Sequence, residues 1–357
     1  MEHAANASTE HHEVIIIGAG PAGAATAKSL RDAGIEPLLI EKKKVPRYKC
    51  CGGVLFGEAQ LVVREHFGEI PPQVYCDPPT IAAEDIVAYR DDGSYVPWSF
   101  ELPRPGLELP TTYLNLWREK FDAWLVERSG ARLLDGCGFA GFLRKADPIT
   151  ISCRLLDGAH RRFACAYLVG ADGGASAVRS HLDAAYRALA EKGMGHYQAF
   201  HLHDAGGLDR HRWYVFPRRG GVLFKDDLAV ITAVGRKGTK LREHFEEFVR
   251  YLGKRFGVRL TGFHRDEGFF QNSMAATGAF VLGHGNILLV GEAAGFLYFH
   301  AEGIASALTS GLAAGRAIAR ARREGRAVLP IYAELVQAEM EHTRLCWNRE
   351  VMRSHGG

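Results

Sequence analysis

VIIIGAGPAGAATAKSLRDAGIEPLLIE, residues 14–41, is the stretch that decides the fold. The run 14–17 is short, apolar and β-branched, the composition of a strand buried on both faces of a parallel sheet. Gly18, Gly20 and Gly23 follow at the GxGxxG spacing. The first glycine permits a tight turn, the second lets a pyrophosphate approach the backbone, and the third lets a helix pack close to the strand. Pro21 and Ala22 open that helix, expected over 22–33, and its unpaired N–H groups and macrodipole favour negative charge. Gly34 ends it and 37–40 form the second strand. Glu41 then stands where the ribose hydroxyls of a dinucleotide need an acceptor, with Lys42 beside it. Strand, glycine turn, helix and acid together point to a dinucleotide, which a lone GxGxxG would not.

At 357 residues the chain can bury one large α/β core or two intimate ones. Its 44 Lys and Arg against 41 Asp and Glu leave a formal charge of +3. That bias is too small to select nucleic acid, although it allows mild attraction to an anionic membrane surface. Seven cysteines, at 50, 51, 76, 137, 153, 165 and 346, are scattered and show no paired CxxC spacing. A reducing, cytoplasmic compartment and no metal site are expected. Residues 1–12, MEHAANASTEHH, lack the apolar core of a secretory signal and read as a disordered tail. With no apolar run of about 18 residues, no spanning helix is expected, so the protein is soluble or at most membrane-peripheral.

Beyond Glu41, the basic segment KKKVPRYKCCGGVLFGEA (42–59) reads as irregular backbone. Residues 70–110 hold eight of the 14 prolines among β-like pieces at 85–89 and 95–100. Leu116, Phe121, Trp124 and Leu125 predict an amphipathic helix over 113–128. Strands are expected at 132–134, 149–155 and 162–169, then at 212–216, 221–225 and 228–234, the make-up of a sheet layer. A helix over 240–256, strands at 280–282 and 287–290, an alanine-rich helix over 303–322 and a last helix over 330–352 complete the pattern.

Two further strand ends carry chemistry. In YLVGADGGASAVR (167–179) a strand runs into Asp172, which either caps the helix beginning near Ser176 or places an acid beside a cofactor. In ILLVGEAAGFLYFHAEGIASA (287–307) a strand ends in Gly291 and Glu292, small residues follow, and Glu302, Gly303 and Ile304 open a helix. A helix N-terminus aimed at a ring system stabilises negative charge developing there.

The three motifs, in this order, resemble the flavoproteins that include p-hydroxybenzoate-hydroxylase-type monooxygenases and the geranylgeranyl reductases. Lys49-Cys50-Cys51-Gly52-Gly53 is similar to the KxCGG stretch of the geranylgeranyl reductase family. Trp213-Tyr214-Val215-Phe216-Pro217 is similar to its YxWxFP signature, and Arg118-Glu119-Lys120-Phe121-Asp122 to its RxxFD helix. Within that family the GEAAG, EGI and YLVGADG segments resemble the bacterial CbrA-type flavoproteins. Glu292 stands where most relatives have aspartate.

The resemblance implies an α/β fold: a glutathione-reductase-type Rossmann FAD-binding domain with an inserted antiparallel β-sheet substrate domain. The boundaries it suggests are 13–75, 111–182 and 275–325 for the first and 76–110 with 183–274 for the second, leaving 326–357 as a C-terminal helix. It implies FAD held by Gly18, Gly20, Pro21, Ala22, Gly23, Glu41, Lys42, Lys49, Cys51, Gly52, Gly53, Arg118, Asp172, Gly291, Glu292, Gly303 and Ile304. Arg118 would reach the phosphates, and Arg47 and Lys49 are further phosphate candidates. Cys50, Cys51, Tyr214 and His300 are the catalytic candidates, and Trp213, Tyr214 and Phe216 would line the substrate cavity. The implied activity is hydride transfer from reduced flavin to a C=C bond of an isoprenoid or other apolar small molecule. The first alternative is a monooxygenase or halogenase working through a C4a-hydroperoxide on an aromatic or protein side-chain substrate. The second is a non-catalytic redox sensor. With no second GxGxxG unit visible, NAD(P)H binding transiently and another electron donor both stay open.

Overall fold

The computed structural model describes residues 9–355 other than 91, 190–192 and 237. The chain folds as two compact units, one formed by 1–47, 122–191 and 274–357 and the other by 48–121 and 192–273. Residues 48–75 and 111–121 thus group with the second unit, and the C-terminal helix groups with the first.

The first unit is built on a mixed sheet of strand order Gly283–His284, Ile287–Leu289, His160–Gly170, Glu10–Ile17, Pro37–Glu41 and Arg132–Asp135. Cys137–Arg144 and Ile149–Leu155 extend it as an antiparallel pair beside His160–Gly170. The central pairings are parallel, and Val14, Ile15 and Ile16 are fully buried, as a doubly covered strand requires. That strand starts at Glu10, whose carboxylate meets Arg161 and Arg132, and Glu10 to His12 pair with Phe163 to Cys165. Residues 10–12 are therefore strand and not tail, because backbone pairing and these ion pairs hold polar residues in the ladder. Residues 1–8 of the expected tail lie outside the described residues.

Helices Pro21–Asp32 and Ile304–Glu324 meet along small residues. A Cβ added at Gly311 would fall 2.3 Å from the Ala22 carbonyl oxygen, and one at Gly315 would fall 2.5 Å from Ser29 Cβ. Ser29 Oγ donates to the Leu312 carbonyl at 3.1 Å across this contact. Helix Val328–His355 reaches the sheet through the Tyr332 hydroxyl, 2.9 Å from the Leu289 carbonyl. The strand expected at 280–282 is coil; only Gly283 and His284 pair back on Ile287 and Leu288.

The second unit holds a seven-stranded sheet of order Arg259–Asn272, Gly193–Asp204, Leu228–Arg236, Gly220–Lys225, Trp213–Phe216, Ile86–Tyr89 and Tyr95–Pro97. All its pairings are antiparallel except that of Trp213–Phe216 with Ile86–Tyr89. Helix Leu241–Phe256 covers one face, burying Phe245, Phe248 and Leu252 with Phe216, Val222 and Ile231. On the other face Phe200, Leu223 and Val230 pack with Val54, Phe56 and Tyr113. A small sheet of Val54–Leu55, Thr112–Leu116 and Tyr75–Ala82 carries Val54 and Tyr113, and Phe56 precedes helix Gly57–Phe67.

Two expectations are corrected here. Residues 42–59 are not wholly irregular, since Val54–Leu55 is a strand and Gly57–Phe67 a helix. The helix expected from 113 begins only at Arg118. Thr112–Leu116 is instead extended and fixed by the buried Asn115, whose amide donates to the Pro78 and Phe224 carbonyls at 2.9 and 3.0 Å. Two backbone carbonyls that need a donor thereby outweigh the helical spacing of the apolar residues.

Candidate functional site

The first unit brings the three motifs together. Gly18 has φ +108°, and a Cβ there would fall 2.4 Å from the Ala171 carbonyl oxygen; one at Gly23 would fall 1.9 Å from the Gly18 oxygen. Both glycines are required by packing. Gly20 differs: its added Cβ would meet only the Arg47 guanidinium, at 3.6 Å. Helix Pro21–Asp32 has no side-chain cap at Gly20 and no acid in its first turn, so its first N–H groups are left for an anion.

Glu41 is buried beside this turn. It accepts the Ala19 N–H at 3.0 Å and the Lys43 N–H at 3.1 Å. Arg47 reaches its carboxylate at 3.2 Å and Asp122 at 3.0 Å, forming a buried triad of two acids and one base. Lys42 is exposed. An uncapped helix start, an open glycine backbone and a buried acid beside them fit the pyrophosphate and ribose of a dinucleotide. Asp122, the last residue of the RxxFD segment, joins the site as a support for Arg47, a role its spacing did not signal.

Asp172 is a helix cap. Its carboxylate accepts from Ser176 Oγ at 2.5 Å and from the N–H groups of Ala177 and Val178 at 2.7 and 3.1 Å. Burial makes the carboxyl a weaker acid than an ordinary aspartate, against the opposing effect of those bonds. Gly174 passes directly beneath Glu292, and a Cβ there would fall 2.4 Å from Glu292 Oε1. Arg179, 2% exposed, donates to the Ala293 and Glu292 carbonyls at 2.8 and 3.4 Å and to the Gly174 carbonyl at 2.5 Å. The second motif thus holds the backbone of the third.

Gly291, at φ +58°, donates its N–H to Ser310 Oγ at 2.9 Å, and a Cβ on it would fall 3.0 Å from Ala22 Cβ. That contact seats the third motif against the first helix. Glu302 caps the next helix, its Oε1 accepting from Ile304 N–H at 3.0 Å and Ala305 N–H at 3.3 Å. At Gly303 an added Cβ would fall 2.6 Å from Leu297 Cδ1, so that side chain would have to shift. His300 lies on the turn Phe299–Ala301; its side chain is outside the described residues.

The remaining candidates lie in the second unit, where the KCCGG segment crosses the sheet face opposite helix Leu241–Phe256. Gly53 has φ +69°, and a Cβ there would fall 2.2 Å from the Leu116 oxygen; one at Gly52 would fall 3.1 Å from Leu223 Cδ2. Lys49 stands 5.8 Å over the Phe269 ring. Cys50 is buried, its thiol donating to Gln198 Oε1 and the Glu267 carbonyl, each at 3.5 Å. Burial, reinforced by Cys51, pushes it up to about 12.

Cys51, partly buried, shifts the other way. Burial alone would raise it, but the Arg118 guanidinium, the Gly53 N–H at 3.4 Å and the Lys49 charge together hold it below the ordinary thiol value. Arg118 therefore stands beside a thiol. Beneath lies Lys225, 1% exposed, donating to Asn115 Oδ1 at 2.5 Å, the Leu116 carbonyl at 2.8 Å and Cys76 Sγ at 3.5 Å. Burial lowers its basicity.

The expectation that Trp213, Tyr214 and Phe216 share one cavity is corrected by strand parity. Tyr214 and Phe216, 2% and 3% exposed, point into the core under helix Leu241–Phe256, and the Tyr214 oxygen accepts the Asp209 N–H at 2.9 Å. Trp213 points to the other face, stacked on Phe100 at 4.5 Å and Phe56 at 6.0 Å. Tyr214→Phe should leave flavin content and turnover unchanged while costing about 1 kcal/mol of stability for the lost hydrogen bond, measured as a lower denaturation midpoint. A loss of turnover at unchanged stability would restore Tyr214 to the site.

Among the described residues no group of three or more His, Cys, Asp or Glu could hold a metal ion, and no helix is long and apolar enough to cross a membrane. Residues 11–55 and 119–205 match the family described as FAD binding domain. The chain is 26% identical over 328 residues to Protein CbrA of Escherichia coli O139:H28, covering 84% of this chain and 82% of that protein. It is also 26% identical over 324 residues to Protein CbrA of Shigella sonnei, covering 84% and 82%.

Among solved structures it is similar to a geranylgeranyl bacteriochlorophyll reductase-like protein of Thermoplasma acidophilum, with TM-score 0.73, 17% identity, and 96% and 87% of the two chains covered. It is also similar to the flavin-dependent halogenase CmlS, with TM-score 0.67, 18% identity, and 94% and 62% covered. At these identities the structural likeness carries the fold: that of the glutathione-reductase and hydroxylase-type flavoproteins.

Proposed function

We propose that this chain, whose residues 11–55 and 119–205 match an FAD binding domain, is an FAD-dependent oxidoreductase that reduces a carbon–carbon double bond of an isoprenoid or comparably apolar small molecule. The observation that supports this is the division between two adjacent thiols. Cys50 is kept a neutral thiol by burial, whereas Cys51 is drawn toward the thiolate by Arg118. Neighbouring groups whose acidities are pushed apart mark acid–base roles.

FAD, which the Gly18–Gly23 turn and Glu41 would hold, would supply the hydride for one alkene carbon, with NAD(P)H or another donor as the electron source. The other carbon then needs a proton. Cys51, the more acidic thiol, delivers it, and Arg118 and the Gly53 N–H stabilise the charge left on sulfur. Cys50 positions the segment through Gln198 and the Glu267 carbonyl. An apolar substrate would be collected at a membrane surface by a cytoplasmic protein.

The test is anaerobic reduction of a geranylgeranyl chain by the FAD-loaded enzyme. Cys51→Ala should slow it at least ~100-fold, within the range for loss of a proton donor, with flavin content unchanged, whereas Cys50→Ser should have a far smaller effect. Alkylation by iodoacetamide should show Cys51 titrating below the free-thiol value of about 8.5 while Cys50 stays unreactive. Full turnover in Cys51→Ala would remove this mechanism. Oxygen consumption stimulated by an aromatic compound, with no anaerobic turnover, would select hydroxylation or halogenation instead.

A further inference from the structure

We propose that Gln271, His196 and Gln198, at one end of the second unit's large sheet, form a subsite for a hydrogen-bond-accepting group of the substrate, a carbonyl or a carboxylate. The substrate is then amphipathic and not a bare hydrocarbon. This rests on the reading that the sheet face crossed by KCCGG is the substrate face.

Pairing of Gly193–Asp204 with Arg259–Asn272 sets His196 opposite Phe269, Gln198 opposite Glu267 and Phe200 opposite Arg265. By the two-residue period of a strand these side chains share one face with Gln271. His196 Nε2 lies 2.9 Å from Gln271 Oε1, and its ring is stacked on Phe269 at 4.4 Å and 14°, which fixes the imidazole plane. Gln198 donates to Thr232 Oγ1 at 2.9 Å and accepts the Cys50 thiol. The polar row therefore runs directly into the segment that carries Cys50 and Cys51.

Gln271 is the member left incomplete. It is 1% exposed, and its Nε2 has no hydrogen-bond partner. Exchanging the amide oxygen and nitrogen does not repair this, because either assignment satisfies His196 with one atom and strands the other. With His196 donating, the stranded atom is a donor, and a buried unsatisfied donor costs about 1–3 kcal/mol. That cost is recovered when a ligand oxygen takes the N–H.

The Lys49 ammonium, 5.8 Å over the Phe269 ring, favours an acceptor carrying negative charge. Farther along the same face the surface turns aromatic, with Trp213, Phe100 and Phe56 stacked together. A polar end followed by an apolar stretch matches a molecule with an acceptor group at one end of a greasy body.

The experiment uses FAD-loaded protein labelled with 15N at glutamine side chains and three probes sharing one ring: benzoate, benzamide and toluene. The Gln271 amide signals, assigned by their loss in Gln271→Glu, should move with benzoate and benzamide and stay fixed with toluene. Gln271→Glu keeps an acceptor for His196 but removes the donor, so benzoate affinity should fall roughly tenfold or more, the equivalent of one lost hydrogen bond. Flavin content should not change. No movement with either acceptor, equal movement with toluene, or unchanged benzoate affinity in Gln271→Glu would overturn the subsite. Amide movement with no accompanying change in flavin absorbance would keep the subsite and remove the reading that this face serves the flavin.

Discussion

Gly20→Val should give a folded protein that purifies without colour. The substitution is informative because the three glycines of the turn are not equivalent. At Gly18 and Gly23 an added Cβ would strike backbone oxygens at 2.4 and 1.9 Å, so valine there disrupts the first strand and helix themselves. Gly20 has φ −89° and ψ −173°, extended backbone that valine adopts without strain, and its added Cβ has 3.6 Å to the Arg47 guanidinium. The apo-protein therefore loses at most about 1 kcal/mol, the scale of a weakened N-cap.

What valine fills is the approach to the first N–H groups of helix Pro21–Asp32, where the pyrophosphate must lie to use the uncapped helix start. FAD affinity should drop at least ~100-fold, about 2.7 kcal/mol, read by flavin absorbance after dialysis. The apo melting temperature should stay close to that of the parent. Gly23→Val should instead recover little soluble protein. A yellow Gly20→Val protein with full flavin would mean that the pyrophosphate does not cross this turn.

The dinucleotide half of the molecule was legible because each signal there has one physical reading: a β-branched run, glycines where backbone must approach backbone, and an acid at the end of the next strand. Much of the second unit was not, and the reason is visible in its residues. Gly193–Asp204 and Arg259–Asn272 are the longest strands of the large sheet, yet His196, Gln198, Arg265, Glu267 and Gln271 stand on one face where alternation would call for apolar side chains. A sheet face reserved for polar contacts hides its own period. Tyr214 and Trp213 failed for the opposite reason: both faces of that strand are apolar and covered, so spacing alone could not say which residue faced which layer.

Arg118 and Asp122 were legible as a motif but not as contacts. Arg118 stands beside Cys51, and Asp122 pairs with Arg47. Asp172 caps the helix that follows it, as one of its two readings expected, since capping by a carboxylate needs only the local N–H groups.

Arg179→Met should be the most destabilising of the changes that leave the glycine turn intact. The guanidinium is 2% exposed and serves three carbonyls, those of Gly174, Glu292 and Ala293, which belong to two motifs far apart in sequence. Burial lowers its basicity, and Asp172 and Glu292 offset part of that effect, so the charge is compensated by neighbours that its removal would leave behind. Methionine fills a similar volume but leaves the carbonyls without a donor and both acids without their buried cation. Losses of this kind run to about 3–5 kcal/mol, a large share of the roughly 5–15 kcal/mol that holds a typical protein together.

The expected result is a melting temperature of the first unit lower by about 10 °C, using about 2–4 °C per kcal/mol for a cooperative unit of about 150–250 residues, together with weakened retention of FAD. Arg179→Lys should recover only part of the loss, because one ammonium on a flexible stem cannot reproduce the planar fork that spans three acceptors. Weaker FAD retention follows from the connection between motifs: with Gly291 and Glu292 no longer tied to Gly174, the turn that meets Ala22 loses its fixed position against the first helix. If Arg179→Met melted within a few degrees of the parent and kept its flavin, the backbone of the third motif would have to be held by Ser310 and the packing of Gly291 alone, and the coupling between the second and third motifs would be refuted.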